Sequence, residues 1–285
     1  MRKLAALLLV LAACTKPEAK TPIVVGSKNF TESVILGELV AQKLEGAGCT
    51  AERKLNMGGT FVCDSAIGSG ALDAYVEYSG TALTAILKQP SSSDRAAVDR
   101  AVRSAYAKRQ LTWGPNLGFN NTFAMIVRKD DAQRAGLAKI SDLRKVEAQS
   151  QPGFGYEFVE RPDGWNGLVA RYGLHFANAP KTMDLGLTYK ALASKQVDLI
   201  AGNSTDGLID SLGLVALEDD LHYFPPYDAA VVARADIDRK CDGASRALIS
   251  VANTIDDATM RRLNFEVDGK KRDVAEVVRE FLAKR

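Results

Sequence analysis

Histidine is nearly absent from this 285-residue chain: His175 and His222 are the only two, and neither sits in a recognisable motif. That makes a histidine-rich metal centre improbable and leaves no nucleophile–base–orienter set of the kind covalent catalysis needs. A surplus of one charge is missing too. Thirty-seven basic residues face 35 acidic ones, for a formal net charge of +2, and no basic block dominates. A nucleic-acid surface therefore has no electrostatic support. Cysteine is scarce, at four, and no pair has metal-ligand spacing. Past the first residues no apolar run is long enough to cross a bilayer. No internal repeat is visible, and no metal or cofactor is expected. What is present is ordinary for a soluble globular protein, 46% hydrophobic and 25% charged. The length fits two lobes or one large domain.

The N-terminus reads as an export signal. Met1-Arg2-Lys3 is positive, and Leu4 to Ala13 is apolar but short. Leu11-Ala12-Ala13-Cys14 resembles the lipobox of a bacterial lipoprotein, in which the cysteine is cleaved and acylated. Residues 1–13 are thus expected to be a signal peptide, and 14–21 a polar tether lipidated at Cys14. A plain secretory peptide with a chance cysteine is the alternative; in both cases the mature chain is exported. Export permits a disulfide. Cys49, Cys63 and Cys241 remain, an odd number, so at least one has no intrachain partner. Cys49 enters a strand and Cys63 lies past its far end, which argues against joining those two. Three buried thiols packed as small apolar residues is the other reading.

The chain is organised around Gly26-Ser27-Lys28-Asn29-Phe30-Thr31-Glu32. The run Ile23-Val24-Val25 before it reads as a buried strand. Ser33 to Gly46 after it has apolar residues at helical spacing. This is a strand-to-helix turn at the carboxyl end of a strand, where open α/β sheets bind ligands. Thr31 or Asn29 is placed to cap the helix, and Glu32 suits its positive end. Lys28 adds charge to that same positive end, so it either faces water or helps receive an anionic group. Two more such units follow: strand 50–56 with turn Met57-Gly58-Gly59-Thr60, and strand 72–76 with turn Glu77-Tyr78-Ser79-Gly80-Thr81. Three polar turns on one edge of a parallel sheet point to a site. Residues 111–121 carry Gly and Pro and read as irregular. Phe123 to Val127 is a strand, and Phe158-Val159-Glu160 is read as a strand leading into the turn Arg161-Pro162-Asp163-Gly164. Val197 to Ala201 is a strand before the turn Asn203-Ser204-Thr205-Asp206-Gly207. Ala229 to Ala233 is a last strand, and the tail is helical. Two α/β blocks result, and from pattern alone the tail could cover either.

The stretches Gly26–Glu32, Gly58-Gly59-Thr60, Glu77–Thr81, Asn120–Ala124, Thr205-Asp206-Gly207 and Pro225-Pro226-Tyr227 appear in the order and rough spacing of one known family. The chain resembles the substrate-binding proteins of osmoprotectant ABC importers, which take glycine betaine, choline, carnitine and similar quaternary amines. The match covers nearly the whole mature chain. It implies a two-lobed α/β fold of the periplasmic-binding-protein type, type II-like, with two crossovers and a ligand cleft between lobes. One lobe would be residues 22–117 plus 225–285 and the other 118–224, with hinges near Asn116–Gly118 and Tyr223–Pro226. By position Tyr78, Phe123 and Tyr227 look like an aromatic cage for a trimethylammonium group. Lys28, Thr81 and Arg161 look like the polar end that takes a carboxylate. Each aromatic has core packing as its plain alternative, and Arg161 has a surface ion pair with Asp163. The resemblance further implies a monomer that serves an ABC permease and touches the membrane only through its lipid anchor, in the periplasm or on the outer face of the cytoplasmic membrane.

Two positions depart from the family pattern. Phe123 stands where tyrosine is frequent, and Asn203 stands where an aromatic is common. An amide in the cage wall either weakens cation binding or accommodates a larger, more polar ligand such as carnitine or ergothioneine. An enzyme on the same scaffold and a sensor that docks on a signalling partner are the competing classes. The export signal and the absence of a catalytic set favour binding.

Overall fold

The computed structural model describes residues 21–284; the expected signal peptide and Cys14 lie outside them. Ten strands are present among these residues: β1 (Ile23–Gly26), β2 (Ala51–Lys54), β3 (Ala74–Tyr78), β4 (Leu111–Asn120), β5 (Phe123–Arg128), β6 (Pro152–Gly155), β7 (Lys181–Met183), β8 (Leu199–Asn203), β9 (Leu214–Leu217) and β10 (Asp228–Arg234). They form two five-stranded sheets, ordered β2-β1-β3-β10-β4 and β7-β6-β8-β5-β9. In the first sheet β1, β2 and β3 are parallel and β10 runs against both β3 and β4. In the second β6, β7 and β8 are parallel and β5 runs against both β8 and β9. The two sheets thus share one plan, three parallel strands followed by one reversed strand that arrives from a crossing between lobes.

The first βα units form as their patterns require. Val25 and Ile23 are fully buried in β1, and helix α1 (Thr31–Gly46) lays Ile35, Leu36, Leu39, Val40 and Leu44 on the core. At these positions side chains three and four apart share one face. Helix α2 (Thr60–Ser69) returns the chain to β3. The start of α1 differs from expectation: Phe30 occupies the N-cap position without a side-chain cap, and the Thr31 hydroxyl instead donates to Asp268 at 2.6 Å.

Two segments correct the sequence reading. Residues 111–120, read as irregular because of Gly114, Pro115 and Gly118, are strand β4. Its register against β10 shifts twice, and these irregularities accommodate the residues that hid the strand. The chain therefore stays in the first sheet as far as Asn120 and passes to the second at Asn121–Thr122, beyond the 116–118 region. Residues 158–160, read as strand, belong to a helical turn, Tyr156–Glu160, in which only Phe158 is buried. The strand lies just before it, at the fully buried Pro152–Gly155. The tail packs on the first sheet's side, where helices Asp257–Asp268 and Val274–Ala283 meet α1.

Cys49, just before β2, is joined to Cys241, beyond β10, across 192 residues of chain. This overturns the reading of three packed thiols for two of them. Cys63 remains free and buried, and burial pushes its thiol up to about 12. A cross-link over so long a loop chiefly restricts the unfolded chain. The Cys49→Ala/Cys241→Ala variant is expected to lose about 2–4 kcal/mol of stability, read by denaturant unfolding, with ligand affinity unchanged. A midpoint equal to the wild type would sink that expectation.

Candidate functional site

The carboxyl ends of both sheets face a single cavity of about 680 Å³. Lys28, Tyr78, Thr81, Phe123, Arg161, Asn203 and Tyr227, the seven residues singled out in the sequence, all line it. They come from the β1 turn, the end of β3 and its turn, the start of β5, the end of the 156–160 helix, the end of β8, and the residue before β10. Phe123 and Asn203 are direct cross-strand partners in the β5–β8 ladder, so the amide stands beside the ring. Phe123 meets Tyr227 edge-on, with centroids 5.5 Å apart, and Phe158 and Phe224 at 4.9 and 5.7 Å. Tyr78 packs against Phe30 at 6.1 Å. Tyr78 and Tyr227 are almost wholly buried, so each is cavity wall and core at once.

Both cations have internal partners. Lys28 is 3% exposed, and its Nζ lies 2.5 Å from Glu77 and 5.1 Å from the centre of the Tyr78 ring. The anionic group it helps receive is thus one of the chain's own, 49 residues on. Burial pushes the Glu77 carboxyl up, and Lys28 works against that rise. Arg161 donates through Nε and Nη2 to the two oxygens of Asp163 at 2.8 and 2.5 Å, and through Nη2 to the Thr81 hydroxyl at 3.1 Å. The pair with Asp163 is real but buried, not on the surface. The Tyr227 hydroxyl donates to Asp163 at 2.6 Å. Burial raises the Asp163 carboxyl, yet the Arg161 guanidinium and Tyr227 hydroxyl outweigh it and hold it below its ordinary value. The Arg161 guanidinium lies 5.1 Å from the centre of the Phe123 ring, so two aromatic faces of the cavity already attract cations.

With Lys28 and Arg161 matched by Glu77 and Asp163, Lys271 is the remaining cation in the wall. It is set against the carboxylates of Glu157, Asp184, Asp206 and Asp268. The cavity is on balance anionic. Asp206 accepts from the Tyr189 hydroxyl at 2.6 Å and from the backbone N–H of Asn203 at 2.8 Å. Burial still pushes it up to about 6, from an ordinary 3.8. Behind the wall, Glu32 is pushed by burial up to about 7 from 4.5, although four donors reach it. Both folded values lie above the unfolded ones. The stability tied to these protons is therefore complete below about pH 4 and is lost as pH rises through 6–7. Asp206→Asn is thus expected to gain stability relative to the wild type between about pH 3 and pH 8, by up to about 3 kcal/mol. Unfolding midpoints at the two pH values check this; a constant difference would remove Asp206 from the account.

Several residues of the site were not anticipated. Asp163 entered only as a surface partner and Glu32 only as a favourable charge near a helix end. Glu77 and Asp206 entered only as turn residues, and Asn121 was not singled out beyond its stretch. Their partners lie up to 232 residues away, beyond the reach of local pattern.

The model of the substrate-binding domain of ABC-type glycine betaine transport systems matches residues 21–284. The carnitine transport binding protein OpuCC of Listeria monocytogenes is 33% identical over 97% of this chain and 92% of its own. The ergothioneine transport permease/ergothioneine binding protein EgtU of Helicobacter pylori is 34% identical over 92% of this chain, which spans 47% of that protein's length. A crystal structure described as a glycine betaine/carnitine/choline ABC transporter superposes with a TM-score of 0.73 at 30% identity, over 92% of this chain and 98% of that one. The architecture is accordingly the two-lobed α/β fold of periplasmic binding proteins. The matching family is one of substrate-binding domains and the Listeria relative is a binding protein, and this chain is not an enzyme. It belongs to the family of substrate-binding domains of ABC-type glycine betaine transport systems.

Proposed function

We propose that this chain captures a quaternary ammonium compound of the betaine, choline or carnitine type and hands it to an ABC permease. One observation carries the reading: the rings of Tyr78, Phe123 and Tyr227 and an excess of carboxylates line a single cavity between the sheets. A trimethylammonium group has no hydrogen-bond donor and a diffuse charge, so ring faces and a negative field hold it best. Tyr78, Phe123 and Tyr227 serve as the cage. Lys28, Thr81 and Arg161 serve as the polar end, where a ligand carboxylate joins charge-assisted networks that already exist.

Asn203 takes the fourth wall. An amide beside Phe123 supplies a donor and an acceptor where a ring would supply only a face. A ligand with a polar substituent, such as carnitine or ergothioneine, suits that wall better than glycine betaine. Hinged closure of the lobe built on the first sheet over the lobe built on the second would enclose it. The protein acts as a monomer after export, held at the membrane by the lipid on Cys14.

Calorimetric titration of residues 21–285 with glycine betaine, proline betaine, choline, carnitine, ergothioneine and proline tests this. Saturable binding of at least one quaternary amine is expected, and none of proline. A folded protein that stays silent across the panel overturns the ligand class and leaves the family assignment standing.

A further inference from the structure

Glu32 does not line the cavity, yet it is the most heavily bonded side chain beside it. It sits in the first turn of α1 and is 1% exposed. Its Oε1 accepts from the Tyr78 hydroxyl at 2.8 Å and from Asn121 Nδ2 at 2.7 Å. Its Oε2 accepts from the Thr205 hydroxyl at 2.5 Å and from Asn264 Nδ2 at 3.0 Å. A carboxylate offers about four acceptor positions, and here four donors meet them. Both asparagines turn their amide nitrogens inward and leave buried Oδ1 atoms without a protein partner. Leaving a buried acceptor unmatched is costly, so the arrangement is built around the Glu32 carboxyl.

The donors come from four places. Tyr78 ends β3, Asn121 lies at the crossing between sheets, and Asn264 is on the helix Asp257–Asp268 that packs on α1. Thr205 alone belongs to the second lobe, in the turn after β8. The same Asn264 nitrogen also donates to the Thr205 carbonyl at 2.9 Å. Two residues on, a Cβ at Gly207 would lie 2.6 Å from the backbone nitrogen of Phe265 and 2.7 Å from its Cα. The turn of the second lobe therefore seats backbone-to-backbone on the helix of the first, and only glycine permits that approach. Between these two contacts stands Asp206, in the cavity wall.

We propose that Glu32 and the Thr205–Gly207 turn form a latch that fastens the two lobes around the cavity, with both Glu32 and Thr205 acting as positioning residues. Tyr78 shares the Glu32 carboxylate with Thr205, so the residue that fixes a ring of the first lobe also receives the second lobe. Asp206 and Asn203 belong to the turn that engages, so contact with a ligand at the wall and engagement of the latch occur on one segment. The inference rests on the cavity being a ligand cleft, not on which amine fills it.

The test measures the distance between the lobes. Val62 and Leu187 are exposed on opposite lobes and accept cysteine substitutions for spin labels, while Cys63 is buried and Cys49 and Cys241 are joined. Pulsed distance measurements are made without ligand and with excess carnitine or glycine betaine. Thr205→Val preserves shape and removes the hydroxyl; Thr205→Ser preserves the hydroxyl and removes volume. The closed-to-open ratio is expected to fall tenfold or more in Thr205→Val and to recover in Thr205→Ser. Packing alone predicts the opposite order. Gly207→Val should lower the ratio as well, by a separate route. An unchanged ratio in Thr205→Val, or one that serine fails to restore, overturns the latch. If neither amine binds, the ligand-free ratios still decide the matter, so this inference and the ligand assignment fail separately.

Discussion

Arg161→Ala is expected to cost about 3–5 kcal/mol of folding stability, because it leaves Asp163 buried with no cation. Asp163 is 3% exposed, and once the guanidinium is gone the hydroxyl of Tyr227 is its remaining near partner in the cavity wall. Removing one member of a buried pair is far costlier than the pair is stabilising. Adding Asp163→Asn to the variant should therefore recover part of the loss. Denaturant unfolding of the single and double variants reads both effects. A single-variant loss below about 1 kcal/mol would place the pair in water. The same substitution also removes the donor to Thr81 and the cation above Phe123. Ligands with a carboxylate should then lose more affinity than choline, and equal losses would take Arg161 out of the polar end.

Tyr78→Ala should destabilise the protein by a similar amount, about 3–5 kcal/mol, and abolish measurable binding. The sequence offered two readings of this residue, cage wall or core. The structure gives it both, since the ring is 4% exposed, packs with the core of the first lobe and still lines the cavity. A loss of stability thus does not exclude a binding role, and a second variant has to separate them. Tyr78→Phe keeps the ring and its packing but takes one of four donors from Glu32. It should cost about 1–2 kcal/mol of stability and leave cation binding largely intact. Affinity that collapses in Tyr78→Phe would mean that the hydroxyl, not the ring face, holds the ligand.

These cases show what local pattern can reach. β-branched runs, helical spacing in residues 33–46 and polar turns at strand ends gave three βα units and the edge on which a site should form. They do so because burial of one face imposes a period on the sequence within a few residues. Strand β4 escaped because Gly114, Pro115 and Gly118 carry no such period, and β10 pairs with it despite two register shifts. β6 escaped because Gly153 and Gly155 offer no side chain to read. The charge network escaped for a different reason. Lys28 and Glu77 are 49 residues apart, Glu32 and Thr205 173, and Cys49 and Cys241 192. Complementarity of that kind is written in three dimensions. In sequence, Lys28 was visible only as a charge in an awkward place at a helix N-terminus.

The order of strands in the two sheets has a consequence for how the chain is made. The second sheet is assembled from β5 to β9, which are contiguous in sequence, so its last strand is in hand once Leu217 has emerged. The first sheet cannot close then, because β3 and β4 are not neighbours: β10 lies between them, and it is synthesised last of all the strands. Until Asp228–Arg234 is delivered, both β3 and β4 present bare hydrogen-bonding edges, which are templates for wrong partners. The lobe that begins first is finished last. A chain interrupted after Leu217 would hold one completed sheet and one split sheet, and its hazard would be association through that gap.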